Sequence, residues 1–307
     1  MSCRILVIKL GALGDMVLAM GPFAAIRDAH ADADITLLTT AAYADFMRMS
    51  PYFDDVWIDD RPTLWQPRDW LRLRRRLRGA RFDFVYDLQT SDRSGWYYRL
   101  MGPGRRPDWS GIAPGCTHPH DNPARDDMHT IARQNEQLAR AGIARVPPAD
   151  LSWVEGDDAK FDLARPYVLL IPGGAPHRPR KRWPAQRYAA LAGELGERGM
   201  AAVTLGGNDE SDLADEIARA CPSVRNLAGR TSFADIVRLA QGASGAVGND
   251  TGPMHLIAAA GCPALVLFSA ESDPTLTRPV GESISVLQRD DLAMLDTASV
   301  VEALRLR

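Results

Sequence analysis

The sequence predicts an α/β protein with two Rossmann-like domains facing a central cleft. Three observations lead to the two-domain reading. Short apolar runs alternate with helical stretches along the chain, the pattern of parallel sheets crossed by helices. The alternation lapses once, at residues 143–165, where periodicity gives way to Pro and acidic residues. Each half then opens the same way, with an apolar strand running into a Gly-bearing turn: Gly11-Ala12-Leu13-Gly14-Asp15 in the first, Pro172-Gly173-Gly174-Ala175 in the second. The expected domains are 1–150 and 151–307.

The first half begins with Ile5–Ile8, apolar on both faces as a buried parallel strand must be. A helix over Met16–Ala29 follows, with a kink expected at Gly21-Pro22. Ile35–Thr39, Val56–Ile58 and Phe82–Leu88 read as further strands, and Trp70, Leu73 and Leu77 sit at helical spacing between the last two. Asp108–Asp127 reads as a long irregular loop, most simply a surface flap. A helix over Thr130–Arg140 stops at Gly142. In the second half, Tyr167–Ile171, Ala201–Leu205, Ser244–Val247 and Ala264–Phe268 read as strands. Helices are expected over Ala185–Arg198, Asp209–Ala220, Phe233–Gln241, Met254–Ala260 and Ser299–Leu306.

Composition excludes several classes. A chain of 307 residues with 46% hydrophobic content fills one large core or two ordinary ones. The net charge of −3 argues against general nucleic-acid binding. Cys3, Cys116, Cys221 and Cys262 are far apart with no CxxC pair, which suggests neither a metal site nor a disulfide framework and fits a reducing cytoplasm. The opening apolar run is too short for a signal peptide or a membrane span. No turn reads GxGxxG or GxxxxGK[ST], so a dehydrogenase and a P-loop nucleotidase are disfavoured.

Ligands of such sheets sit beyond the carboxyl ends of the strands. The turns Gly11–Asp15, Pro172–Lys181, Gly206–Glu210 and Gly248–Gly252 are therefore the expected lining of the site. Asp250-Thr251-Gly252-Pro253-Met254-His255 is the most informative of these stretches: an apolar run precedes it and an apolar helix follows. A helix start there would present free N–H groups and partial positive charge to an anion. Pro253 suits the first turn, and Thr251 or Asp250 can cap.

These segments resemble glycosyltransferase family 9, the lipopolysaccharide heptosyltransferases. The resemblance is carried by Ile5–Asp15, by Phe82–Gln89 with Arg93-Ser94, by Lys181-Arg182-Trp183-Pro184 and by Gly248–His255, in that order and spacing over nearly the whole chain. It implies the two-domain GT-B fold and an enzyme that moves heptose from a nucleotide diphosphate sugar, with ADP-heptose the expected donor, to an anionic lipid-linked saccharide of the lipopolysaccharide inner core. It also implies inversion at the anomeric carbon, no cofactor and no essential metal. The first domain would bind acceptor and the second donor, in the cytoplasm or at the inner face of the cytoplasmic membrane.

Anomeric displacement needs a base on the acceptor hydroxyl and charge relief on the departing diphosphate. On spacing alone Asp15 is a first-turn acidic cap; the resemblance assigns it as the general base, beside Gly14. Lys181 is the candidate cation for the diphosphate, against its reading as one solvated member of the basic run Arg178–Arg182. Gly174, Thr251 and Gly252 would meet the donor through backbone N–H groups. Asp250 repels phosphate and is expected to accept from sugar hydroxyls. His255 is a phosphate or sugar contact or else a satisfied helix-start histidine, and Glu210 a ribose acceptor or else a first-turn charge. Trp183 reads as a packing anchor.

The acceptor side is suggested by charge. Between Arg61 and Arg106 the chain has twelve arginines and four aspartates. Leu71, Leu73 and Leu77 are expected inward, with the intervening arginines outward. Arginine forks suit phosphorylated, acidic saccharide, and interleaved aromatics such as Trp65 and Trp96 suit a headgroup surface. Arg93 is the strongest individual candidate because it falls in the family motif. The segment Ala175–Arg180 is richer in Pro and Arg than the family's phosphate turn, and Ser269-Ala270-Glu271 replaces its usual Gly-Pro-Thr type of turn; both bear on donor preference. Competing readings are transfer of another sugar, or to a protein or other glycan, a non-transferring nucleotide-sugar-binding protein, and an epimerase or hydrolase.

Overall fold

Parallel pairing organises both halves of the chain. The computed structural model describes residues 2–63, 65–104, 106–174 and 178–307. Among them, two compact units separate at Ala149/Asp150. The Ala175-Pro176-His177 part of the turn discussed above lies outside the described residues.

The first unit runs β1 (Arg4–Ile8), α1 (Leu13–Leu18), α2 (Met20–Ala29), β2 (Asp34–Thr39), α3 (Ala41–Arg48), β3 (Asp55–Ile58), α4 (Pro67–Ala80), β4 (Phe84–Asp87), α5 (Asp92–Met101), β5 (Asp108–Gly111), β6 (His118–Pro119) and α6 (Thr130–Arg140). Its sheet has the order β3-β2-β1-β4-β5-β6, with every neighbouring pair parallel. Ile5 to Ile8 are fully buried, which is why β1 is apolar without alternation. Leu6, Ile8, Leu38, Val85, Tyr97 and Trp109 meet in one core cluster.

The second unit runs β7 (Tyr167–Ile171), α7 (Ala185–Glu197), β8 (Ala201–Thr204), α8 (Ser211–Ala220), β9 (Arg225–Asn226), α9 (Phe233–Gly242), β10 (Gly245–Asn249), α10 (Gly252–Ala259), β11 (Ala264–Phe268), α11 (Pro274–Thr277), β12 (Ile284–Gln288) and α12 (Thr297–Ala303). Its sheet order, β12-β11-β10-β7-β8-β9, repeats that of the first unit once the strands are renumbered from β7. Both are doubly wound Rossmann orders, 3-2-1-4-5-6. Their topological switch points lie between β1 and β4 and between β7 and β10.

Several expectations are corrected. The long helix from Met16 breaks at Ala19, not at Gly21-Pro22. The reason is still Pro22: its ring nitrogen cannot donate to the Leu18 carbonyl one turn earlier, so the helix parts there. The supposed irregular loop Asp108–Asp127 supplies β5 and β6, two strands of the sheet, so the flap reading fails. Asp108-Trp109-Ser110-Gly111 and His118-Pro119 hold no apolar run to announce a strand. Leu71 is 49% exposed although it was expected inward, whereas Leu77 is buried. On a helix with 3.6 residues per turn Leu71 lies well round from Leu77, toward Arg75 and Arg78. α3, α5, β9, α11 and β12 went unread.

Candidate functional site

In the second unit, the ends of β7 and β10 and the turn after β8 converge. β7 ends in Pro172-Gly173-Gly174, and β10 ends at Asn249. Asn249 is fully buried and uses its whole amide: Nδ2 donates to the Pro172 and Gly173 carbonyls at 2.7 and 2.9 Å, while Oδ1 accepts from the Trp183 N–H and the Tyr188 hydroxyl, each at 3.1 Å. It ties the β7 turn to α7 and to the start of α10. Trp183 is buried, its indole N–H donating to the Leu295 carbonyl, as befits a packing anchor.

Lys181 and Asp250 meet on this frame. The Lys181 ammonium donates to Asp250 Oδ2 at 2.7 Å, and the two side chains are only 12% and 10% exposed. Lys181 therefore departs from the expected loose point charge on a solvated basic run: a carboxylate holds it in a nearly dry position. Asp250, expected to await sugar hydroxyls, holds a cation. Arg182 turns back, its Nε donating to the Gly174 carbonyl at 3.1 Å.

Glu210 bridges two turns. One oxygen accepts from the Gly174 N–H and the other from the Gly207 N–H, both at 2.9 Å. Gly173 is required by this approach, because a Cβ there would lie 1.7 Å from Glu210 Oε1. Thr251 is the N-cap position of α10, and its Cγ2 lies 3.8 Å from where a Gly174 side chain would begin. The Thr251 hydroxyl is buried and has no hydrogen-bond partner among the described residues. Gly252 opens α10, and His255 is buried within its first turn. Gly174, Lys181, Glu210, Asp250, Thr251, Gly252 and His255 are thus gathered around the β7 and β10 ends. At the next strand, Ser269 is buried and its hydroxyl accepts from the Glu271 N–H, while Ala270 and Glu271 are exposed.

In the first unit the matching place is the ends of β1 and β4. Gly11 has φ +120°, and a Cβ on it would lie 2.5 Å from the Tyr43 ring, so this turn admits glycine alone. Gly14 and Asp15 fall in the first turn of α1, and the Asp15 carboxylate accepts from the Ala12 N–H at 3.3 Å. This is the capping contact; Asp15 stays half-exposed beside it. Lys9, Tyr43 and Arg133 are all within its electrostatic reach. Lys9 is buried and donates to the Leu88 carbonyl at 3.0 Å, and burial pulls its ammonium down from the ordinary lysine range. Gln89 Oε1 accepts from the Leu10 N–H at 2.8 Å and locks the two strand ends together.

Asp87, the last residue of β4, is fully buried, and burial pushes its carboxyl up to about 6 against the pull of Ser94, the Thr90 and Gln89 amides and Lys9. Arg93 points elsewhere. Its Nη2 donates to the Pro62 carbonyl at 3.2 Å and its Nη1 to the Tyr97 hydroxyl at 3.3 Å, with the guanidinium 5.6 Å from the Trp70 ring centre.

Sequence reasoning missed Asn249, Lys9, Asp87, Gln89 and Arg133. The usable signal was a polar residue ending an apolar strand, which describes Lys9, Asp87 and Asn249. Among the described residues no cluster of three or more His, Cys, Asp or Glu could hold a metal ion, and no helix is long and apolar enough to cross a membrane.

Residues 70–300 match the family described as glycosyltransferase family 9 (heptosyltransferase). Lipopolysaccharide heptosyltransferase 2 of Escherichia coli is 26% identical over 93% of this chain and 88% of its own length. Among solved structures, a family 9 glycosyl transferase from Veillonella parvula superposes with a TM-score of 0.85 at 19% identity, over 98% of this chain and 95% of that one. The E. coli ADP-heptose lipopolysaccharide heptosyltransferase II superposes with a TM-score of 0.82 at 24% identity, over 98% and 97%.

Proposed function

The chain belongs to glycosyltransferase family 9, and from that premise we propose that this glycosyltransferase moves heptose from ADP-heptose to an inner-core acceptor of lipopolysaccharide, inverting the anomeric carbon and using no metal. The observation that carries the donor assignment is the convergence of Lys181, Asp250, Glu210 and the α10 N-terminus at the β7 and β10 strand ends. A switch point with a cation and free helix N–H groups suits a diphosphate. The E. coli relative bears ADP-heptose in its description, which supports that donor.

In this reading the second unit holds donor. The Thr251 hydroxyl and the N–H groups of Thr251 and Gly252 meet diphosphate oxygens, with Gly174 at the facing turn and His255 behind. Diphosphate competes with Asp250 for Lys181, so the ammonium follows the leaving group and Asp250 is released toward sugar hydroxyls. Glu210 accepts ribose hydroxyls through lone pairs that its two backbone contacts leave over. The first unit holds acceptor. Asp15 takes the proton from the attacking hydroxyl as the bond between the anomeric carbon and the diphosphate oxygen breaks and ADP departs. Arg93, which falls in the family motif, contributes to holding the anionic acceptor. The enzyme works at the inner face of the cytoplasmic membrane, where a lipid-linked acceptor is presented.

The test is ADP release from ADP-heptose by the purified chain, with and without a heptose-deficient lipopolysaccharide acceptor and with and without a chelator. Release should require acceptor, survive chelation and give a product of opposite anomeric configuration by NMR. Release without acceptor would mean a hydrolase, a new sugar epimer an epimerase, and binding without turnover a binding protein; each overturns the proposal.

A further inference from the structure

We propose that the outer face of α4 is a docking surface for an anionic phospholipid bilayer. Arg68, Leu71, Arg72, Arg75 and Arg78 fall at spacings of three and four and form one exposed stripe. Among the described residues Arg68 and Arg75 make no hydrogen bond or ion pair. Arg72 meets only Asp69, the sole acidic residue of α4, at 3.2 Å. The other arginines of the helix are occupied: Arg74 donates to the Leu100 and Gly102 carbonyls, the Arg76 guanidinium lies 3.9 Å from the Trp57 ring centre, and Arg78, at the end of the stripe, donates to the Pro103 carbonyl at 3.2 Å. Structural need therefore accounts for Arg74, Arg76 and one contact of Arg78, and leaves Arg68, Arg72 and Arg75 unexplained.

Apolar groups accompany the charge. Trp65, just before the helix, is 91% exposed, Leu71 is 49% exposed, and on the adjoining α5 Trp96 is 53% exposed with the Arg99 guanidinium 4.8 Å from its ring centre. Two depressions, of about 400 and 360 Å³, lie along α4 and share Arg78; the first is lined by Leu71, Arg74, Arg75 and Arg78, the second by Leu77, Arg78, Arg81, Phe82, Met101 and Pro107. Arginine rims over apolar floors hold phosphodiester headgroups, and exposed tryptophans settle at the interface between headgroups and acyl chains. A duplex nucleic acid would reward the arginines but not Leu71 or the exposed tryptophans. The inference gives a partner to the reading of a lipid-linked acceptor, and its test needs neither donor nor acceptor, so either can fail alone.

The experiment is co-sedimentation of the full chain with vesicles of phosphatidylcholine, or of phosphatidylcholine with 30% phosphatidylglycerol, at low and at 0.5 M salt. Binding should appear with the anionic vesicles only and be lost at high salt. Replacing Arg72 and Arg75 with Gln should weaken it by at least about tenfold, two interfacial charges being removed, while circular dichroism stays unchanged. A Trp65→Ser, Leu71→Ser variant should bind the anionic vesicles more weakly than the parent at low salt. Equal binding of variant and parent, equal binding to neutral vesicles, or displacement from anionic vesicles by duplex DNA at equal charge would overturn the proposal.

Discussion

Asn249 shows how one buried amide can organise a site. Its four hydrogen bonds hold the Gly173 turn, Trp183 and Tyr188 in one arrangement, which leaves Asp250 facing Lys181. Asp87 is the opposite case, a buried carboxyl whose ionisation costs stability. Its folded-state value of about 6 lies above the ordinary 3.8, so its contribution is whole below about 4 and is lost as pH rises through 6. That amounts to roughly 3 kcal/mol. Chemical denaturation at a series of pH values should show this loss between about 4 and 6, and Asp87→Asn should remove it; an identical pH dependence in the variant would refute the assignment. Asp15 was legible only in part. Its place at a helix start could be read from Gly14-Asp15-Met16, but a cap and a base look alike in a sequence, and the Ala12 contact shows the cap is real.

At the scale of elements, apolar runs such as Tyr167–Ile171 and Ala264–Phe268 announced their strands because burial on both faces forbids polar residues. The short strands β5, β6 and β9 could not: Asp108-Trp109-Ser110-Gly111, His118-Pro119 and Arg225-Asn226 hold no apolar run, and their partners decide them. The turns were readable where backbone demands leave a residue signature. Gly173 is such a position: Glu210 occupies the space a side chain would need. Gly173→Ala should keep the fold, since the carboxylate can swing away, but lose the bond to the Gly174 N–H and, by moving Glu210 off the ribose hydroxyls proposed for it, weaken ADP binding about tenfold or more, the worth of one charge-assisted hydrogen bond to the ligand. Unchanged affinity by calorimetry would remove Glu210 from the donor site. Lys181 was legible as a candidate cation, though its partnership with Asp250 was not, because residues 69 positions apart meet only through the sheet order.

The whole molecule is one strand order used twice, β3-β2-β1-β4-β5-β6 and β12-β11-β10-β7-β8-β9, each with its own core. The central claim is a division of labour between the two units: the first furnishes the base, the second the anion cradle. The most direct measurement is a comparison of Asp15→Asn with the parent enzyme, taking kcat for heptose transfer and calorimetric affinity for ADP on the same preparations. The account predicts a fall in kcat of at least about a hundredfold with ADP affinity unchanged. Turnover within a few-fold of the parent, or loss of ADP binding alongside activity, would contradict it.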